Sequence, residues 1–159
     1  MMEIAVTAES LSEIIETSAA EVLETMFFSS IEGIAESMVA DGEGQIAARL
    51  RFRGTPSGAL SLVISRQSAN TLFASFAGID EISITEQQRE EILSEMTNVV
   101  CGSILSRVES DAVFDLGSPF KLNPEAALQP VAEGSLVVQR SFDTDDGVLT
   151  VVFELEVTE

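Results

Sequence analysis

The sequence has no histidine and a single lysine, Lys121. Without histidine there can be no Ser–His or Cys–His nucleophilic site and no histidine-ligated metal. It has one cysteine, Cys101, so no internal disulfide can form. This fits a reducing compartment. No basic residue is next to Cys101 in the sequence, so nothing there marks it as an activated thiol. Cations are scarce: 8 Lys and Arg stand against 27 Asp and Glu, for a net charge of −19. Nucleic acids and anionic membranes are bound largely through cationic contacts, so both are excluded as partners. A partner with a basic rim would instead be attracted and steered. No apolar run approaches the ~20 residues of a membrane span. Residues 1–25 are acidic and lack a small-residue cleavage site, so no signal peptide is expected and a cytoplasmic location is.

What is present suits a single domain, 1–159, with one core: 45% of its 159 residues are apolar. Apolar positions at i, i+3, i+4 and i+7 predict a helix over 10–28, with Leu11, Ile15, Val22 and Leu23 inward. Ser10 and Glu13 form its expected capping box. Residues 45–65 switch to period two and predict a hairpin around Gly54-Thr55-Pro56-Ser57-Gly58. There the arginines 49, 51 and 53 read as the solvent face of an edge strand. A short helix over 66–77 follows, with Leu72, Phe73 and Phe76 inward. Thr85 and Gln88 then open a long helix to about Val108. Strands are expected at about 111–117, 133–142 and 148–157, the last two joined by the turn Asp143–Gly147. Each half is a long helix feeding antiparallel strands, which suggests a weak internal duplication. The expected class is α+β, with two long helices packed on one face of a mostly antiparallel sheet.

The long helix carries the candidate site. At 100° per residue, Ile92, Leu93, Met96, Val99, Val100 and Ile104 share its core side, and Glu91, Glu95, Asn98 and Gly102 share the other. Glu95 and Asn98 are i, i+3 neighbours, so their side chains emerge together. Gly102 lies one turn further on. Glycine inside a helix costs roughly 1 kcal/mol relative to alanine, and close approach of another backbone would justify it. Leu105 falls on the same outer line, as a docking contact would. A carboxamide can hold a water through both its donor and its acceptor, and a carboxylate can pair with a lysine. Neither is a strong base or nucleophile. Such a pair suits a site where a partner brings the remaining chemistry, as in phosphoryl hydrolysis by a positioned in-line water.

Glu95-Met96-Thr97-Asn98 on a long helix, then a strand and Gly117-Ser118-Pro119, resembles the CheC/CheX/FliY family of chemotaxis phosphatases. The likeness is greatest to single-site CheX-like domains. It extends over nearly the whole chain, including Ala20-Glu21-Val22-Leu23-Glu24-Thr25-Met26 and the closing hairpin. The resemblance implies an enzyme that hydrolyses the aspartyl phosphate of CheY-like response regulators. Asn98 would then orient the attacking water, and Glu95 would pair with the regulator's lysine. Glu91, Gly102 and Leu105 would be docking surface. No cofactor would be bound by this chain, since the receiver would bring its own Mg²⁺. The family pattern has aspartate or serine where Glu91 stands, and its spacing to the proline is slightly longer than from Asn98 to Pro119. Two-site members carry a second E-x-x-N in the first helix. Here that stretch reads Glu24-Thr25-Met26-Phe27, which implies one site at most. Two other readings stay open: a non-catalytic receiver-binding or scaffold protein of the same fold, and a structural homodimer paired through its sheets.

Overall fold

The computed structural model describes residues 7–35, 44–108 and 113–156. Helix α1 spans Ala8–Met26. Its capping box lies three residues before the expected one. Thr7 is the N-cap, its Oγ1 accepts from the Ser10 backbone N–H at 3.0 Å, and Ser10 returns the bond to the Thr7 N–H. Threonine and serine can exchange these bonds as well as the glutamate-containing box does, so the start moved. Leu11, Ile15, Ala19, Val22 and Leu23 are buried as expected.

Strand β1 (Ile31–Ala35) was not expected; it is short and contains Gly33. The hairpin formed by β2 (Gln45–Arg53) and β3 (Gly58–Ser65) agrees with the alternating pattern. Helix α2 (Arg66–Ala77) is capped by Ser65 and stopped by Gly78 in the left-handed conformation, φ +72°. Phe76, in the last turn, is 38% exposed rather than inward, with its ring centroid 5.3 Å from that of Phe27. A 3-10 turn, Glu81–Ser83, leads to α3 (Glu86–Val108). The Thr85–Gln88 capping box forms as read, with bonds of 2.9 and 3.1 Å.

The strand expected at 111–117 is reduced to β4 (Asp115–Leu116), and its residues 111 and 112 lie outside the described residues. Two short elements follow that periodicity could not reveal: β5 (Phe120–Leu122) and the single turn α4 (Pro124–Ala127). The closing hairpin is β6 (Leu136–Thr144) and β7 (Gly147–Leu155), joined by a two-residue turn at Asp145-Asp146 with Gly147 at φ +120°. Val157 lies outside the described residues.

The sheet runs β1-β6-β7-β3-β2-β4, with β5 also pairing β2, and every pairing is antiparallel. The chain order repeats: helix, edge strand, hairpin, then helix, edge strands, hairpin. Each half's edge strand pairs with the other half's hairpin, β1 with β6 and β4 and β5 with β2. β3 and β7 meet at the centre. Helices α1 and α3 pack on one face, where Leu50, Leu60, Leu62, Val151 and Phe153 meet Ile15, Val22, Met96 and Val100 in one core. The fold is therefore α+β, as the sequence indicated.

β2 is not an edge strand, and this corrects the arginine row. Arg51 and Arg53 are exposed, but Arg49, on the same face of the sheet and away from α1 and α3, is buried. Its Nε donates to Ser61 Oγ at 2.8 Å, and its Nη2 donates to the carbonyls of Ala126, Ala127 and Gln129. Nearby, buried Glu154 accepts from the N–H groups of Val131 and Ala132 at 2.7 and 2.9 Å. Two buried charges thus strap the segment around α4 across the back of the sheet.

Candidate functional site

The rotation of α3 about its axis decides what it presents. Ile92, Leu93, Met96, Thr97, Val100, Cys101, Ile104 and Leu105 are buried. Burying an apolar side chain contributes about 1.5–3 kcal/mol, so this set holds the helix in one orientation. Thr97 tolerates burial because its Oγ1 donates to the Leu93 carbonyl of its own helix at 2.7 Å. With Met96 and Thr97 fixed inward, Glu95 and Asn98 on either side of them are exposed. The two are separated by about 4.5 Å along the axis, at 1.5 Å per residue. Among the described residues neither side chain makes a hydrogen bond or an ion pair within the chain. Their polar atoms are free to engage something else. Glu91 is also exposed, and its Oε2 accepts from Gln87 Nε2 at 3.2 Å.

Gly102 continues this line, but among the described residues no backbone outside its own helix comes close to it. A Cβ placed there would meet nothing within 4 Å. The described residues therefore give no steric reason for the glycine. Leu105 requires a correction. It is buried at 2% exposure inside the main core, not on the outer face. The buried residues form two rows, 92-96-100-104 and 93-97-101-105, each stepping by four. A step of four turns 400°, so each row drifts 40° and the buried stripe winds around the helix. A single wheel places Leu105 within about 20° of Asn98, although by Leu105 the stripe has turned under it.

The flanks of the face are set by polar links. On the α1 side, Glu21 pairs with Arg107 at 3.3 Å and accepts from Ser103 Oγ at 3.2 Å. On the other side, Lys121 of β5 pairs with Glu90 at 2.9 Å. This holds the strand that follows Pro119 beside α3. At the helix start, Glu86 receives both Arg66 and Arg89. These guanidinium groups, Arg89 first, hold its carboxyl below the usual range. The sequence did not reveal Glu21–Arg107, Glu90–Lys121 or Arg66–Glu86, since their members lie far apart in the chain. Cys101, behind the face, is buried with its thiol pushed up to about 12 by desolvation, which leaves it unreactive near neutral pH. Among the described residues no group of His, Cys, Asp and Glu side chains could hold a metal ion. No helix among them is long and apolar enough to cross a membrane.

The architecture recurs in solved structures. The chemotaxis protein CheX of Desulfovibrio desulfuricans superposes with a TM-score of 0.69 at 22% identity, covering 92% of this chain and 99% of that one. CheX of Vibrio vulnificus gives 0.72 at 16% identity, covering 96% and 100%. The CheX-CheY-BeF3-Mg complex of Borrelia burgdorferi gives 0.71 at 16% identity, covering 92% and 98%. These identities speak for the fold alone. No match is found among curated protein sequences. The family model described as chemotaxis phosphatase CheX matches residues 46–139, more than half of the chain and all of α3. The chain belongs to the CheX family of chemotaxis phosphatases.

Proposed function

We propose that this protein hydrolyses the aspartyl phosphate of a CheY-like receiver domain, with Asn98 and Glu95 as its working residues. One observation carries the reading: an exposed, unpartnered Glu95–Asn98 pair on the outward face of α3, in a chain of this family. The solved relative from Borrelia burgdorferi, crystallised with CheY and BeF3, supports a receiver as the partner.

Asn98 can accept a hydrogen bond from the attacking water and donate one to it, fixing its oxygen in line with phosphorus. The water oxygen bonds to phosphorus as the bond to the aspartyl oxygen breaks. That electron pair returns to the aspartate carboxylate, and the water's proton passes to solvent. Glu95 pairs with a lysine of the receiver and sets the docking angle. Magnesium in this reading belongs to the receiver and offsets phosphoryl charge. The open space over Gly102 lets the receiver backbone approach the helix.

Release of inorganic phosphate from a phosphorylated CheY-type receiver tests this. Asn98→Ala is expected to lower turnover at least about a hundredfold, the scale of losing a positioned polar group in a transition state. Glu95→Ala is expected mainly to raise KM. Full activity in both variants would show the site to be elsewhere. Binding without hydrolysis by the unaltered protein would make it an adaptor.

A further inference from the structure

The two long helices correspond to one another at a constant offset. Six residues of α1 are buried: Leu11, Ile15, Ser18, Ala19, Val22 and Leu23. At the offset that takes 11 to 93, each falls on a buried residue of α3: Leu93, Thr97, Val100, Cys101, Ile104 and Leu105. The helix ends correspond too, Met26 with Val108. One contact agrees with this relation independently. Glu21 accepts from Ser103 Oγ at 3.2 Å, and these two residues are counterparts. Counterparts meet only on a two-fold axis, so α1 and α3 cross about an approximate two-fold.

The same offset carries the outward face of α3 onto α1. Glu91 and Glu95 fall on Glu9 and Glu13, the same residue type. Asn98 falls on Glu16, and Gly102 on Ala20. The counterpart of the working pair is therefore Glu13–Glu16, not the stretch Glu24–Phe27 that the sequence suggested. Glu9, Glu13 and Glu16 are exposed. Among the described residues the side chains of Glu13 and Glu16 make no hydrogen bond or ion pair. An open depression of about 560 Å³ lies over Glu13, Glu16 and Ala20. Arg107, the cation on its lining, is taken by Glu21 and does not offset the charge of Glu16.

We infer that Glu16 confines hydrolysis to α3: the outward face of α1 keeps the docking carboxylate but has a second carboxylate where the water-holding carboxamide belongs. The inference rests on the function proposed above. A carboxylate accepts hydrogen bonds and donates none, so it cannot make both contacts of Asn98 to the water. Its charge would also face the anionic phosphoryl oxygens at close range and repel them. The Ala20 methyl narrows the approach that Gly102 leaves open. With asparagine at position 16, the bond changes are those written for Asn98. Water oxygen bonds to phosphorus, the aspartyl oxygen leaves with its electron pair, and the proton passes to solvent.

Phosphate release from the phosphorylated CheY-type receiver tests this in an Asn98→Ala background, where α3 is expected to be silent. Adding Glu16→Asn and Ala20→Gly is expected to raise turnover at least about tenfold, part of what a positioned polar group contributes. Glu16→Asn alone keeps the better helix former at position 20 and is expected to give a smaller gain of the same sign. Glu16→Ala with Ala20→Gly removes the charge without supplying a carboxamide and is expected to give none. Adding Glu13→Ala to the gaining variant is expected to raise KM. No gain from either asparagine variant overturns the inference, and so does an equal gain from Glu16→Ala with Ala20→Gly. Full hydrolysis by Asn98→Ala alone, or none by the unaltered protein, instead refutes the α3 site itself, and the inference falls with it.

Discussion

Gly102 is the residue whose behaviour separates folding from function most sharply. Among the described residues a methyl group there meets nothing within 4 Å outside its own stretch of helix. In the interior of a helix alanine is favoured over glycine by roughly 0.5–1 kcal/mol. Gly102→Ala is therefore expected to raise stability by about that amount in urea denaturation, while raising KM for the phosphorylated receiver. A stabilised variant with unchanged KM would remove Gly102 from the docking surface. Leu105 shows the limit of one-dimensional reading at this scale. Its angle on a wheel is right, yet its exposure is not, because the buried rows step by four and wind around α3. Glu95 and Asn98 escaped this error because they lie mid-helix, next to the buried Met96 and Thr97.

Among the elements, the strap around α4 depends on tertiary charge. Arg49 reaches three carbonyls and Ser61 across the back of the sheet, and Glu154 holds the next two N–H groups. Arg49→Met would leave those carbonyls and the Glu154 carboxylate buried without their cation. The expected cost is about 2–4 kcal/mol in denaturant unfolding, with faster hydrogen exchange at residues 126–132 than elsewhere. Uniform loss of protection would argue against a local strap. Period-two alternation correctly placed β2, but it could not say whether the strand was an edge. The strands that cover it are of two and three residues, too short for any periodicity to register. β1, interrupted by Gly33, was missed for the same reason. The long helices, the two hairpins and the α3 capping box were legible because each is local: caps, turns and apolar spacing within one segment. The cap of α1 was local too, but two adjacent sites could satisfy it.

For the whole molecule, charge dominates. A net charge of −19 on 159 residues makes the folded state repel itself more than the expanded chain does. Raising sodium chloride from about 10 mM to about 200 mM shortens the screening length from roughly 30 Å to below 10 Å. The thermal midpoint is expected to rise across that range. A flat or falling midpoint would mean that the four surface ion pairs described here, which salt weakens, outweigh the general repulsion.

By itself the sequence determined which chemistry was open. Having no histidine and one cysteine, it excluded whole classes of catalysis, and the spacing Glu95-Met96-Thr97-Asn98 placed two polar groups together on any helix. It also determined the α+β class, because helical and strand periodicities are properties of contiguous segments. Only the tertiary structure decided which turns of α3 are covered, that Arg49 is buried, and that Lys121 stands beside Glu90 from 31 residues away. Those outcomes depend on which element lies against which, and contacts between distant segments leave no periodic trace in either one.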